Sequence, residues 1–143
     1  MRAIVIAGAV TAVAVAALVA YLTIGGGTTV TKADLRVGDC IETTPDGSPQ
    51  SKMQRVGCDH PHKGEVYAVL ALPDSTEYPG DGPVHLYQDN CTAEFSRYAP
   101  NAPAGPTFGR SVINATQDSW AAGDRSMVCI ATTDQDRSQS LRS

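Results

Sequence analysis

The pattern of apolar and polar positions divides the chain into an apolar N-terminal run, a patterned domain and a polar tail. Residues 3–24, AIVIAGAVTAVAVAALVAYLTI, carry no charged side chain. A helix of this length rises about 33 Å, which is enough to cross the hydrocarbon core of a bilayer. Arg2 precedes the run and favours an N-terminus that stays in the cytoplasm. The pattern therefore predicts a transmembrane signal anchor over residues 1–24.

A cleaved signal peptide is the alternative for the same segment. The apolar run is longer than the about 7 to 15 residues of a secretory core, and no small-residue cleavage site follows Ile24. The anchor is therefore the preferred interpretation, with the protein in the cell membrane as a single-pass chain. In both cases we expect the part after about residue 25 to be extracytoplasmic, with residues 25–33 as a flexible linker.

Two short strands are predicted early in the exported part. They are Asp39–Thr43 and Met53–Cys58, separated by the turn sequence PDGSP. Together they read as a hairpin with a long loop. The stretch Glu65–Leu72, EVYAVLAL, is apolar on both faces beyond Glu65, which is typical of a central strand.

The period changes to that of a helix after the loop that ends at Pro83. Apolar residues recur at spacings of three, four, four and three, and these are Val84, Tyr87, Cys91, Phe95 and Tyr98. A helix over residues 84–99 is therefore predicted, and it stops at Pro100. Two further strands are predicted at Arg110–Ala115 and Ser126–Thr132.

These elements predict a small α+β domain over residues 34–132. Its architecture is an antiparallel sheet with one packed helix, preceded by the N-terminal transmembrane helix. Residues 133–143 are polar and are expected to form a disordered tail.

All four cysteines lie in the exported part, which favours two disulfides in an oxidising compartment. Cys40 and Cys58 lie near the open end of the hairpin, where a bridge is geometrically reasonable. Pairing Cys91 with Cys129 would attach the helix to the last strand. Three connectivities remain possible on the sequence alone.

The charge balance argues against nucleic acid as a partner. Arg2 is the only charged residue before position 25, so the exported part holds ten basic and fifteen acidic residues, a net charge of about −5. No basic stripe is present that could hold a phosphate backbone or anionic lipid headgroups. The expected contact with the membrane is therefore the N-terminal helix.

Several short pieces in a fixed order resemble a known family, the actinobacterial septum-formation-related domain. The pieces are LRVGDC at 35–40, VGCDHPH at 56–62 running into EVY at 65–67, YPG at 78–80, Cys91, and SWAAGDR at 119–125 ahead of Cys129. The resemblance covers residues 34–131. It implies an extracytoplasmic module tethered by one membrane helix, with a role in cell-envelope or septum biology. It implies no defined reaction, so no catalytic residue is carried over.

A metal site is one interpretation of the segment that precedes the central strand. His60, His62 and Glu65 are the residue types of a two-histidine, one-carboxylate zinc site. In a regular strand Glu65 would point away from His62, although a turn at Lys63–Gly64 could restore convergence. The favoured interpretation is a turn into the strand with hydrogen-bonded imidazoles, and no metal or cofactor is expected.

The segment around Trp120 is the second candidate cluster. Trp120, Asp124 and Arg125 could form a recognition spot, with an aromatic face for a sugar or peptide and a guanidinium for a carboxylate. The favoured interpretation is structural, with Arg125 paired to Glu65. A carboxylate on an apolar strand needs such a partner.

These observations together favour a membrane-anchored, extracytoplasmic, non-catalytic binding domain. Its expected partner is an envelope or division protein, or a wall component. The alternative is a metal-dependent or carboxylate-based envelope hydrolase that uses acids such as Asp59, Glu65 and Asp124. No enzyme motif selects a catalytic set, so the chain is expected not to be an enzyme.

Overall fold

The computed structural model describes residues 27–102 and 108–142. The predicted membrane anchor over residues 1–24 lies outside these ranges. In the described part of the chain, no helix is both long enough and apolar enough to cross a membrane.

A six-stranded antiparallel sheet forms the body of the domain. Its strands are β1 (Thr28–Val30), β2 (Cys40–Ile41), β3 (Met53–Val56), β4 (His62–Ala71), β5 (Gly109–Ile113) and β6 (Ser126–Arg137). The spatial order is β1-β3-β2-β4-β6-β5, and every neighbouring pair is antiparallel. The prediction of an α+β domain with a small antiparallel sheet is confirmed.

The strand pattern read from the sequence places the central strands correctly. β2 and β3 pair as the expected hairpin, with Cys40 opposite Val56. β4 lies between β2 and β6, so the stretch that is apolar on both faces is an inner strand. Its residues from Gly64 to Ala68 are buried, whereas Val69 and Ala71 near its end are exposed.

The helical region differs from the single predicted helix over residues 84–99. The structure has α1 (Asp81–Leu86) and α2 (Gln88–Tyr98), and a further short helix α3 (Gln117–Ala121) before β6. The break lies at Tyr87, whose N–H donates to the carbonyl of Val84 at 3.2 Å. This tighter turn, three residues long instead of four, ends the first helix before the second begins.

Two hydrophobic clusters hold the sheet. The first joins β4 and β6 to α2 and α3, and Tyr67, Cys91, Trp120 and Met127 are among its buried members. The second consists of Val30, Leu35, Ile41, Met53, Val66, Ile113, Val128 and Ile130. Because all of these residues except Leu35 come from β1 to β6, the second cluster joins all six strands and stabilises the sheet as one unit.

Both disulfides are present, with the pairings Cys40–Cys58 and Cys91–Cys129. The Cα atoms are 5.3 Å apart in the first and 5.8 Å apart in the second. The first joins β2 to the turn after β3, and the second attaches α2 to β6. These are the pairings that the sequence favoured among three.

Both predicted flexible ends are wrong within the described residues. The linker predicted over residues 25–33 contains β1 and a 3-10 helix (Lys32–Asp34), and Lys32 is only 4% exposed. The tail predicted over residues 133–143 begins as the end of β6, and Leu141 is 5% exposed. The Lys32 side chain bonds to Asp124, and the Leu141 side chain lies in the first hydrophobic cluster; these contacts offset the entropy lost on ordering the chain.

Candidate functional site

Glu65 is the centre of a buried polar cluster on β4. Its side chain is 1% exposed, and it accepts three hydrogen bonds. The Tyr98 hydroxyl donates to Oε1 at 2.6 Å, the Ser140 hydroxyl donates to Oε1 at 2.6 Å, and the Leu141 N–H donates to Oε2 at 2.8 Å. Three donors compensate the carboxylate for lost water, and two of them come from the C-terminal segment.

The predicted pair between Glu65 and Arg125 is wrong. The expectation that Glu65 needs a buried partner holds, but the partners are Tyr98 and the C-terminal segment. The cluster also changes the pKa of Tyr98. Burial, together with the hydrogen bond to Glu65, raises the pKa of Tyr98 to about 12, so its hydroxyl stays a donor at neutral pH.

His62 lies beside Glu65 because of an irregularity in the strand. The register of β4 against β6 shifts between His62 and Gly64, which undoes the alternation that would place His62 and Glu65 on opposite faces. The His62 side chain is 1% exposed, and its Nδ1 is 2.8 Å from the carbonyl oxygen of His60. A carbonyl only accepts, so Nδ1 carries the proton. Nε2 has no hydrogen-bond partner among the described residues.

His60 does not join this pair. Its side chain is 49% exposed, and its Nε2 is 4.0 Å from the Asp59 carboxylate. A ring nitrogen of His62, a carboxylate oxygen of Glu65 and the Cys40 sulfur instead lie within 4.8 Å of one another. The third member of the group is therefore a cysteine of the Cys40–Cys58 disulfide, and the three predicted residues His60, His62 and Glu65 do not assemble.

The Trp120 turn uses its residues to build the fold. Trp120 is 3% exposed, and its indole N–H donates to the Ser75 carbonyl at 3.2 Å. The Arg125 guanidinium lies over the indole ring at 3.8 Å, and it donates to the carbonyls of Trp120 and Ser75 at 2.8 Å and 3.0 Å. The aromatic face is therefore covered by Arg125.

A short helix holds this turn in place. α3 begins after Thr116, whose hydroxyl oxygen accepts a hydrogen bond from the Ser119 N–H. In return the Thr116 N–H donates to the Ser119 hydroxyl oxygen, which forms a capping box. After the helix, Gly123 has a φ of +95°, a conformation that favours glycine. The chain can therefore reverse direction and present Asp124 and Arg125 before β6 begins.

Asp124 has a partner that the sequence did not indicate. Lys32 Nζ donates to Asp124 Oδ2 at 2.5 Å and to the Ser126 carbonyl at 2.7 Å. Burial acts to raise the pKa of Asp124, but hydrogen bonds from Lys32 and Ser126 outweigh it and hold the pKa below its usual range. A capping pattern, Thr31 followed three residues later by Asp34, could have indicated a short helix around Lys32, but not its contact with Asp124.

Concave surfaces are present on the described part of the chain, and two of them border residues discussed above. A cleft of about 580 Å³ lies between the Lys32 segment and the Asp124 turn. A groove of about 310 Å³ runs between β4 and the C-terminal end of α2. Val37 and Val69 line this groove and are 46% and 41% exposed, the two large apolar side chains that are exposed among the described residues.

The fold and its polar clusters define a small disulfide-stapled α+β domain whose buried ionic groups bond within the domain. The chain belongs to the Septum formation family, whose model matches residues 37–143. The sequence resemblance to a septum-formation-related domain is confirmed by this match. No curated protein and no solved structure shows a significant match to the chain. The family supports a septum-related role in the cell envelope.

Proposed function

We propose that the protein is a membrane-anchored, extracytoplasmic binding domain that acts without catalysis in septum formation or cell-envelope assembly. The family match is the observation that carries the biological role. The apolar run at residues 3–24 supports the anchor, and the two disulfides support an oxidising compartment outside the cytoplasm. The partner is an envelope or division protein, or a wall component.

The state of the acids supports a role without catalysis. Glu65 is 1% exposed and accepts three hydrogen bonds, so its carboxylate is buried within the domain. Asp124 is paired with Lys32. Asp59 is exposed, and its neighbour is His60, not another carboxylate. A glycosidase of the common type needs two accessible carboxyl groups facing one substrate.

The groove between β4 and α2 is the surface that fits a protein partner. Exposed Val37 and Val69 offer an apolar contact, and Arg97 and Arg142 offer positive charge at its rim. The Arg97 guanidinium forms an ion pair with the Glu94 carboxylate at 2.5 Å, whereas the Arg142 guanidinium lies 5.6 Å from the Tyr98 ring. This combination favours a segment with an apolar side chain next to an acidic one.

Proximity labelling of the full anchored protein in growing cells tests the role directly. We expect envelope and division proteins among the labelled partners. Val37→Asp and Val69→Asp should reduce labelling of the direct partner about tenfold, which corresponds to roughly 1.4 kcal/mol of binding. Gln135→Asp is the matched control, because Gln135 is exposed and lies outside the groove.

The two valine variants separate the role from the surface. Val37 lies in a turn, so its substitution should leave the melting temperature close to that of wild type. A labelled set without envelope or division proteins would refute the proposed role. Full labelling by both folded valine variants would refute the groove and leave the role standing.

Cell fractionation with external protease tests the anchor. The full chain should sediment with membranes, and protease added to spheroplasts should remove the domain. Recovery of the domain in the culture medium, shortened by its N-terminal segment, would instead support the cleaved signal peptide.

A further inference from the structure

The residues around the Cys40–Cys58 disulfide contain the ligand types of a zinc site. Cys40 is directly opposite Glu65 in the pairing of β2 with β4, so their side chains share one face of the sheet. The strand irregularity brings His62 to the same place. The sulfur of Cys40, a ring nitrogen of His62 and a carboxylate oxygen of Glu65 lie within 4.8 Å of one another. Cys58 is outside this group, but its bond to Cys40 makes it the fourth candidate once the disulfide is reduced.

The state of His62 is an independent indication of a ligand. Its Nδ1–H donates to the His60 carbonyl, which fixes the tautomer that carries a free lone pair on Nε2. Nε2 is buried and has no partner among the described residues. A metal-bound histidine has this arrangement, with one nitrogen on the metal and the other donating to a backbone carbonyl. A buried lone pair without a donor is otherwise a cost to the fold.

Glu65 can still offer a lone pair. Among the described residues its Oε2 accepts one hydrogen bond, from the Leu141 N–H, and a carboxylate oxygen can accept two. The bonds to Tyr98 and Ser140 both go to Oε1 and orient the carboxylate. Such outer hydrogen bonds are typical of carboxylates that hold metals.

Only one of the two disulfides is open to a reductant. Cys58 lies in the turn after β3 and is partly exposed, so a thiolate from outside can attack its sulfur. Cys91 and Cys129 are 1% and 0% exposed, and they lie within the first hydrophobic cluster. A dithiol should therefore reduce Cys40–Cys58 first.

We propose that reduction of the Cys40–Cys58 disulfide creates a zinc site formed by Cys40, Cys58, His62 and Glu65. A dithiol gives two electrons and two protons to the disulfide and becomes a disulfide itself. The two protein thiols then lose their protons as they bind Zn²⁺. Two thiolates, one imidazole and one carboxylate complete a tetrahedral shell, which leaves no open position for a substrate. The same two cysteines thus cross-link β2 to its neighbours through sulfur or through zinc.

The test uses the purified exported domain with its disulfides oxidised or reduced by a phosphine. Co²⁺ serves as the spectroscopic probe, since thiolate ligation and tetrahedral geometry both appear in its absorption spectrum, and bound zinc is counted by mass spectrometry. We expect one zinc per chain after reduction and none before it. The inference stands independently of the proposed function.

Two matched variants decide whether His62 is a ligand. His62→Gln should weaken zinc binding to the reduced domain by more than the roughly 10–100-fold that loss of an outer-shell partner costs. His60→Gln should leave binding unchanged, because His60 contributes only its backbone carbonyl. Equal zinc affinity in the reduced wild type and His62→Gln would overturn the proposal, and so would reduced wild type without zinc.

A redox titration keeps the test decisive if reduction loosens the domain. Zinc that binds only the dithiol form must raise the midpoint potential of the Cys40–Cys58 pair. A hundredfold preference for the reduced form corresponds to about 60 mV at 29.6 mV per tenfold. The Cys91–Cys129 pair in the same molecule is the internal control and should not move. No shift for Cys40–Cys58, or the same shift in His62→Gln, would contradict the site.

Discussion

Replacing Glu65 with glutamine tests whether the buried carboxylate holds the C-terminal segment to the sheet. The substitution keeps the volume of the side chain and removes its charge. The carboxylate accepts three hydrogen bonds, and a hydrogen bond to a charged group contributes about 1.5–3 kcal/mol. An amide oxygen can keep part of this set, but its NH₂ group faces N–H and O–H donors. We therefore expect the free energy of unfolding to fall by about 2–4 kcal/mol.

Urea denaturation at neutral pH with the disulfides intact measures this loss. Glu42→Gln is the matched control, because Glu42 is exposed and the chemical change is the same. Amide hydrogen exchange adds a local readout, since the Leu141 N–H donates to Glu65 Oε2 and should lose its protection in Glu65→Gln. A Glu65→Gln variant that unfolds at the urea concentration of wild type would refute the reasoning.

A double-mutant cycle isolates the contribution of the C-terminal segment. Deleting residues 138–143 removes two of the three donors to Glu65, namely Ser140 and Leu141. The loss of unfolding free energy caused by Glu65→Gln should be smaller in that shortened chain than in the full chain, by at least about 1 kcal/mol. The reason is that the effects of mutations in contacting groups do not add. Identical costs in both chains would show that the segment does not act through Glu65.

Two further predictions concern the Lys32–Asp124 pair and the Trp120 turn. Lys32→Met should lower stability by about 2 kcal/mol at neutral pH, below the 3–5 kcal/mol of a fully buried broken pair because Asp124 keeps its bonds to Ser126. The pKa of Asp124 is lower in the folded state than in the unfolded state, where it is near about 3.9, so its ionised form stabilises the fold above that pH. This stabilisation is lost as pH falls through the folded-state pKa. The stability difference between wild type and Lys32→Met should therefore shrink below about pH 4. A difference that stays constant down to pH 2 would contradict this, and thermal melts at each pH measure it. Arg125→Lys should cost about 1–2 kcal/mol because it loses the stack on Trp120 and the forked donors, whereas Arg36→Lys on the exposed surface should cost nothing measurable.

The sheet and the Cys40–Cys58 disulfide could be predicted because their signals are local. Alternation, turn residues and the position of Cys40 and Cys58 in one hairpin all act over fewer than twenty residues, as the separation of 18 between these cysteines shows. The helix over 84–99 was predicted in the right place, but its break at Tyr87 depends on a single shorter turn. Apolar periodicity does not encode such a break, since Val84 before it and Cys91 and Tyr98 after it lie in the same hydrophobic cluster.

The partners of the buried ionic groups could not be predicted, because they depend on long-range contacts. The need of Glu65 for a partner was visible from a carboxylate on an apolar strand. Its actual partners are 33, 75 and 76 residues away, and the segment that provides two of them reads as a polar tail. Lys32 is 92 residues from Asp124 and lies in a segment that reads as a linker. Polar composition hides the few buried side chains that order each segment, Val30 and Lys32 in the N-terminal one and Leu141 in the C-terminal one.

The ordered N-terminal segment changes the expected position of the domain relative to the membrane. A linker over residues 25–33 would let the domain stand well away from the bilayer. β1 begins at Thr28 and pairs with β3 through Arg55, so the folded domain starts within four residues of the predicted span's last residue, Ile24. An extended chain covers at most about 3.6 Å per residue, which limits this connection to about 14 Å. With the anchor proposed above, Thr28 at the start of β1 would lie within this distance of the end of the span. The groove at Val37 and Val69 is then the surface to examine for a partner that is itself held in the envelope.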